Sequence, residues 1–314
     1  MLSWNEFVDY ASELRLKPEY VAQTKPFFHA LAPALYDRLS ADPLAKLEEI
    51  KAAFPGEEYR RFLLIAAVAS WPEMVRLYKE RHFSSQQLDD IRPDLGLWLD
   101  KSMADTDGAV AGLDGRMFSW TCALREGRIL QFGRLQCNYR HEFVGKVACF
   151  ENPDGSIRME ECAEHRDDAV FSYGDPCICL HIPASGPLKR ALCIDSLRKM
   201  TAFFDTTQRD FEYKAVICYS WILDPVFPKI MKSTNLADFQ KLGRLFRLEG
   251  YDQTNEIVWR VFDLPGGTPA DIGKRPWNTG MRRAVGEYLR QGGRFCEYGF
   301  IILRRELPAL LASE

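Results

Sequence analysis

The spacing of apolar residues changes once along this chain, and that change divides it. From Met1 to about Lys101 apolar positions recur every three or four residues, as in Trp4, Phe7, Val8, Ala11 and Leu14, which is the period of a helix with one buried face. Asp42-Pro43 predicts a helix start and Phe54-Pro55-Gly56 a turn. Glu57 to Ser70 reads as a helix that proline ends or kinks at Trp71-Pro72. Ala104 to Gly115, rich in Asp, Gly and Ala, has no sustained period and marks a connector. The expected organisation is an all-helical domain over residues 1–105 and a second domain over residues 106–314.

Beyond the connector the period shortens. Phe118 to Leu124 and Arg128 to Tyr139 alternate and read as a hairpin across Arg125-Glu-Gly127, and Asn152-Pro-Asp-Gly155 gives the next turn. Asp175 to Pro183 and Ala215 to Leu223 read as short buried strands, each followed by a helix, Gly186 to Phe204 and Thr234 to Phe246. Ile257 to Phe262 and Tyr298 to Leu303 read as closing strands around a helix from about Thr279 to Gln291. Gly292-Gly293 carries no nucleotide fingerprint and reads as a turn. The fold class this predicts is α+β: helices first, then a mixed β-sheet domain with flanking helices.

Charge narrows the partners. With 41 basic and 44 acidic side chains the formal charge is -3, which offers no cationic field for a nucleic-acid backbone. Phe62 to Ala69 is the longest strongly apolar run, far below the roughly 18 residues that suggest a membrane span. Glu6 and Asp9 stand where a secretory signal would carry basic and then apolar residues. A cytoplasmic protein that engages neither nucleic acid nor membrane is expected, with a homodimer left open. The nine cysteines are odd in number and lie mostly in apolar runs such as that around Cys149, so buried, reduced thiols are expected.

The stretch with most chemical content is Cys177-Ile-Cys-Leu-His-Ile-Pro-Ala-Ser-Gly-Pro-Leu188, a strand that ends in a turn and opens a helix. Pro187 suits a first helical turn and Ser185 or Gly186 a cap. Leu188, Ala191, Leu192, Leu197, Met200 and Phe203 are expected on one buried helical face. A helix docked in this way points its free N–H groups and positive dipole end outward, toward an anion such as a pyrophosphate.

The order of elements resembles that of the GNAT acyltransferases, and the chain is similar to a bacterial family that joins a helical N-terminal acyltransferase-associated domain to a GNAT-like C-terminal domain. The resemblance rests on Gly133-Arg-Leu-Gln136, His181-Ile-Pro183, Ser220-Trp-Ile-Leu-Asp-Pro225, Ser233-Thr-Asn235 and Phe239-Gln240. It implies acyl-CoA as co-substrate, a small-molecule amine acceptor and no metal. It further implies that the strand ending in Ile182 and Pro183 splays to pair with the pantetheine arm. Ala184, Ser185, Gly186 and Leu188 would hold pyrophosphate, and Asn235 would contact the cofactor. The loop departs from the family pattern in having one glycine and in Pro187, which lacks a donor.

Acyl transfer to an amine needs a base, an oxyanion site and a proton for the departing thiolate. His181 is the candidate base, directly or through a water, because imidazole titrates near neutrality. Tyr219 is the candidate acid, with Ser220 on the opposite face of the strand; Ser220, Arg134 and Gln136 are candidate acceptor contacts. Cys177, Cys179 and His181 share a strand face, but positions two apart on a strand are about 7 Å from one another, too far to converge on one metal ion. No cysteine sits in a nucleophile turn. The expected function is an acyl-CoA-dependent N-acyltransferase; the alternative is a non-catalytic binding or interaction module on the same scaffold.

Overall fold

In the computed structural model, residues 2–32, 47–106, 109–231 and 235–312 are described. Two compact units form: Met1–Gly133 with Pro183–Gly186, and Arg134–Ile182 with Pro187–Glu314. Among the described residues no helix is long and apolar enough to cross a membrane.

Among the described residues the first unit opens with the helices α1 (Trp4–Glu13), α2 (Pro18–Leu31), α3 (Leu47–Ala53), α4 (Glu57–Ala69), α5 (Trp71–Glu80) and α6 (Ser85–Met103). Ser3 and Glu6 form a reciprocal capping box at the start of α1. The α4 residues Phe62 to Val68 are buried without a break, so this helix is enclosed on all sides. Proline does end α4: Trp71-Pro72 opens α5 instead, where the missing N–H of Pro72 costs nothing. Asp42-Pro43 lies outside the described residues. The connector carries two short strands, β1 (Asp105–Thr106) and β2 (Ala109–Val110), and is anchored where the Leu113 N–H donates to the Arg60 carbonyl at 2.9 Å.

Phe118 to Leu124 is not a strand but the body of α7 (Gly115–Arg125). Asp114 caps its start, accepting from the Met117 N–H at 2.9 Å. The expected hairpin turn is its C-terminal cap: Gly127 has φ +62°, its N–H bonds to Leu124 and that of Arg128 to Ala123, the paired closure of a Schellman motif. Arg128 to Tyr139 is likewise not one strand. It breaks at Gly133 (φ +62°) into β3 (Ile129–Phe132) and β4 (Leu135–Glu142).

The second unit contributes five strands to the main sheet, in the order β4, β7 (Pro176–His181), β8 (Ala215–Ser220), β10 (Cys296–Leu303), β9 (Arg244–Asp252). The β7 and β8 strands are parallel; β4 with β7, β8 with β10 and β10 with β9 are antiparallel. A separate hairpin, β5 (Val147–Glu151) and β6 (Ile157–Glu161), turns at Asn152-Pro-Asp-Gly155 as expected. Phe143, Cys149, Phe171, Cys177, Cys179, Ala215, Ile217, Phe246 and Ile301 form one continuous apolar cluster. The β8 strand is shorter than expected, passing at Ser220 into a 3-10 turn, Trp221–Leu223.

The helices of this unit are α8 (Arg190–Thr206), α9 (Val226–Ile230), α10 (Asn235–Gln240), α11 (Thr254–Phe262), α12 (Gly280–Arg290) and α13 (Leu307–Ala312). Two expectations fail here. The segment after the second strand is helical only over α10 and then extends as β9. Ile257 to Phe262 is helix, with Thr254, Ile257, Val258, Val261 and Phe262 buried at helical spacing and the Thr254 N–H held by Asp252 at 2.8 Å.

Helix α8 also begins later than its sequence suggests, at Arg190, with Lys189 as cap. Pro187 is therefore not in its first turn, and Ser185 and Gly186 do not cap it. Leu188, Cys193, Ile194, Leu197, Met200 and Phe204 are buried, whereas Leu192 is exposed, so the buried face is rotated from the expected one. Buried Leu188 and Cys193 occupy the positions of a hydrophobic staple around the Lys189 cap. Inside α8, the Ser196 Oγ accepts from the N–H groups of Arg134 (2.9 Å) and Leu135 (3.2 Å) and donates to the Leu192 carbonyl. Ser196→Ala should strand two amides at the start of β4 and lower stability by about 2 kcal/mol, read as a fall in the thermal midpoint. An unchanged midpoint would show that water replaces the hydroxyl.

Candidate active site

Burial locates an opening in the second unit. The last residue of β7, the last two of β8 and the first three of β10 are partly exposed, while the strands behind them are buried. These ends lie together, because Tyr219 pairs with Gly299 and Ser220 with Tyr298. The parallel ladder between β7 and β8 runs from Cys177 opposite Ala215 to Leu180 opposite Cys218. Beyond that the strands part: His181 stays paired with Gln136 of β4 while Tyr219 and Ser220 stay with β10. Pro183, without an N–H, ends β7. The result is a notch at the carboxyl ends of two parallel strands, the side of an open sheet on which ligands bind.

Polar side chains cross one sheet face at this notch. Gln136 and His181 are directly opposed, and Asn138 is one repeat behind, with its Oδ1 3.1 Å from the His181 Nε2. In the tautomer where Nε2–H donates to Asn138, the His181 Nδ1 carries the lone pair. Across the notch, Tyr219 continues the face of Ala215 and Ile217 and meets Phe246 edge-on, with ring centroids 6.0 Å apart. Its hydroxyl is shielded from water and has no hydrogen-bond partner among the described residues, and burial pushes its pKa well above that of an ordinary phenol. Ser220 faces the opposite side and accepts from the Ile222 N–H at 3.4 Å, a capping role for the 3-10 turn. His181, Tyr219 and Gln136 are thus brought to one face and Ser220 is not.

Glu297, on β10 two residues from Gly299, was not singled out by sequence and extends the same face. An isolated acidic residue at the start of an apolar strand has no spacing to mark it; strand register alone reveals its neighbours.

The residues expected to bind cofactor fall in several places. Ile182 follows β7 directly, and Leu188 is buried just before α8. Ser185 and Gly186 lie in the Pro183–Gly186 stretch that groups with the first unit, Gly186 with φ +76°. The Ala184 N–H is already engaged, donating at 2.9 Å to the buried carboxylate of Asp94. Asn235 is the exposed first residue of α10; Ser233 and Thr234 lie outside the described residues. Arg134 reaches the stretch before α8, its Nε donating to the Pro187 carbonyl at 3.1 Å, and the first turn of α8 holds no acidic residue.

The family model described as "GNAT-like C-terminal domain" matches residues 129–301, more than half of the chain. The chain belongs to the GNAT-like C-terminal domain family. The sheet of this GNAT-like domain, with its parallel β7 and β8 parting at one end, is the part of the fold on which the match falls. Similar solved structures include an acyltransferase in complex with decanoyl-CoA, 20% identical, covering 95% of this chain and 87% of that one with a TM-score of 0.66. Another is an acyltransferase in complex with decanoyl-CoA and teicoplanin, 18% identical over 95% of this chain and 88% of that one, with a TM-score of 0.65. A third is an acyltransferase in complex with CoA and 10C-teicoplanin, 17% identical over 95% and 87%, with a TM-score of 0.66. The likeness is one of fold. No curated protein sequence matches the chain.

A cavity of about 350 Å³ lies at the other end of the same GNAT-like strands, lined by Val170, Tyr213, Lys214, Leu303, Arg304 and Arg305. Its cations are paired, Lys214 with Asp175, Arg304 with Asp205 and Arg305 with Glu151. It sits at the amino end of β8, away from the notch, and its balanced charges leave no excess field for an anion.

Proposed function

We propose that this chain is an acyl-CoA-dependent N-acyltransferase that passes an acyl group from the thioester directly to an amine in a ternary complex. The observation that carries the proposal is the parting of β7 and β8 beyond Leu180 and Cys218 in a member of the GNAT-like family. An extended pantetheine arm, with its own amides, can add to the freed edge of β7 at His181 and Ile182 as a short strand does. For the pyrophosphate, Arg134, Lys189 and Arg190 bring three cations to the chain just before and at the start of α8, beside the free N–H groups of a helix terminus. Ser185, Gly186 and Leu188 would add backbone amides, and Asn235 a side-chain contact. Ala184 would contribute only if Asp94 released its amide.

In this scheme the amine attacks the thioester carbon, backbone N–H groups at the strand ends stabilise the oxyanion, and the departing sulfur takes the Tyr219 proton. His181 serves as base, directly or through a water, and Gln136 orients the acceptor from the same face. The neighbouring acyltransferases were crystallised with decanoyl-CoA and with teicoplanin, which supports trying a medium-chain donor and amine-bearing acceptors here.

A second scheme, binding without turnover, is favoured by the Asp94 carboxylate on the Ala184 amide and by Pro187 in the loop. Calorimetric titration with acetyl-CoA, decanoyl-CoA and free coenzyme A tests the first. Micromolar binding is expected, weakened at least about tenfold in Gly186→Trp. A Cβ at Gly186 meets nothing within 4 Å, and its left-handed φ costs about 1–2 kcal/mol, so the fold should survive. Absence of binding to all three compounds would rule the transferase out. Binding without acyl transfer to any amine would favour the second scheme.

A further inference from the structure

Glu297 occupies an unusual place in the sheet. On one side β8 has reached its end, for Tyr298 is paired with Ser220 and Glu297 lies beyond that pair. On the other side β9 swings out: Cys296 pairs with Asp252 and Tyr298 with Arg247, so the stretch 248–251 stands opposite Glu297 alone. The extra residues are on β9, so Glu297 is left without a ladder partner there while β10 keeps its alternation, and irregularities of this kind are frequent beside active sites. The pairing of Tyr219 with Gly299 puts Glu297, two residues away, on the Tyr219 face of the sheet.

Building on the transferase proposal, we propose that Glu297 is a catalytic carboxylate that binds the acceptor's ammonium group and takes its proton. This names the acceptor class as a cationic primary amine.

The surroundings fit that task. The Glu297 Oε2 accepts from the Gln253 side-chain amide at 3.2 Å, which orients the carboxyl without neutralising it. From α11 it lies within electrostatic reach of Glu256, whose own partner is Arg260 at 2.8 Å, and from β8 within that of Tyr219 and Cys218. The neighbouring charge on β9, Asp252, is paired with Arg294, and Arg247 pairs in register with Tyr298. No cation is paired with Glu297 among the described residues. Burial, and then the Glu256 charge, raise its pKa above the usual carboxylate range, which makes a stronger base than a solvated glutamate. His181, across the notch beside Asn138, is placed to take the later proton, the one lost by the nitrogen after it has attacked.

The protons balance. The ammonium gives one proton to Glu297 and the freed lone pair attacks the thioester carbon. The carbonyl reforms as the C–S bond breaks, and the sulfur takes the Tyr219 proton. The second nitrogen proton returns to the Tyr219 phenolate, directly or through His181 and water. Glu297 releases its proton to solvent, so one amide, one thiol and one proton leave.

The test compares the full chain with Glu297→Gln, using decanoyl-CoA as donor and benzylamine and glucosamine as acceptor probes. Donor binding is read by calorimetry, thiol release by absorbance, and stability by thermal melting. The variant should bind decanoyl-CoA as the parent does, release thiol at least about a hundredfold more slowly, and lose the parent's acidic limb. That limb should lie above the usual carboxylate range, with rate rising as pH increases and Glu297 ionises. Because a raised carboxylate pKa means that folding is opposed as pH rises from the unfolded to the folded pKa, the variant should melt no lower than the parent at neutral pH. A purely structural glutamate would instead lower the melting point and leave the pH profile in place. If the parent binds no donor, the transferase proposal itself fails and Glu297 falls with it. If the parent binds donor and acylates an amine while Glu297→Gln keeps its rate or its acidic limb, the inference alone is overturned. A parent that binds donor but acylates neither amine also overturns it.

Discussion

Tyr219→Phe is expected to give a protein that melts higher than its parent and transfers acyl groups about 100- to 1000-fold more slowly. The two effects share one cause. The Tyr219 hydroxyl is withdrawn from water with no hydrogen-bond partner among the described residues, a state that costs stability because a buried polar group has lost its solvent without compensation. Removing only the oxygen should return about 1 kcal/mol and leave the edge-on contact with Phe246 in place. The same burial keeps the phenol protonated, with its pKa far above the ordinary value, and it is the protonated form that a departing thiolate needs. A thiolate formed beside it, partly withdrawn from water, is also a stronger base than in bulk solvent, which offsets part of the cost of taking a proton from so weak an acid. Donor binding should not change, which places the loss in kcat. A Tyr219→Phe protein with unaltered turnover would remove Tyr219 from the chemistry, whereas one that melts lower would mean that the hydroxyl has a partner in solution.

Gly112→Ala should be the most damaging single methyl group in the first unit, lowering stability by about 3 kcal/mol or preventing folding of the connector. A Cβ at Gly112 would stand 2.5 Å from the backbone carbon and 2.7 Å from the carbonyl oxygen of Arg60. Neither atom can rotate away, since Arg60 lies within α4. The residue also has φ +71°, a region closed to most L side chains. The close approach lets the Gly112 N–H reach the Ser102 carbonyl and the Leu113 N–H reach Arg60, so the connector is pinned to α6 and α4 together. Thermal melting and limited proteolysis around residues 104–115 would read the effect. Gly250→Ala is a suitable control, because it shares a positive φ of +79° but meets nothing within 4 Å; near-equal losses for both would mean that backbone strain, not the collision, sets the cost.

What the sequence made legible was decided by how local the signal was. Buried runs such as Ile178 to Leu180 and Ala215 to Cys218 read as strands because they are short, rich in β-branched residues and Cys, and soon bounded by Pro183 and Ser220, whereas the longer buried run of α4 reads as helix. Helix α12 was legible from its period and from Gly292-Gly293 after it. The failures share a different origin. Arg125-Glu-Gly127 serves a hairpin and a helix cap equally well, and only the Asp114 cap eleven residues earlier selects the helix. Ile257-Val-Trp-Arg-Val-Phe262 is rich in β-branched and aromatic residues, so its propensity argued for strand, and tertiary burial at helical spacing overrode it. The start of α8 was misplaced because Pro187 fits a first turn locally, while buried Leu188 sets the actual entry.

At the candidate site the division is similar. His181 and Tyr219 each stood out as chemically capable residues at strand ends, and strand pairing is what brings them to one face. Glu297 and Asn138 gave no local sign, since their importance depends on which strands neighbour which, a property of sheet order that period and composition do not encode. The engagement of Ala184 by Asp94, 90 residues earlier, was beyond any local pattern for the same reason.

The seven buried cysteines bear on selectivity among nucleophiles. A thioester lying at the end of β7 would rest within one or two strand positions of Cys179 and Cys177, and free thiols that close to an activated acyl group ordinarily exchange with it. Only the thiolate attacks. Burial pushes Cys179 up to about 12 and Cys149 up to about 11, so at neutral pH almost none of either is ionised. The apolar packing that holds the sheet together would thus also protect the protein from acylating itself, and leave an incoming amine without a rival for the carbonyl carbon.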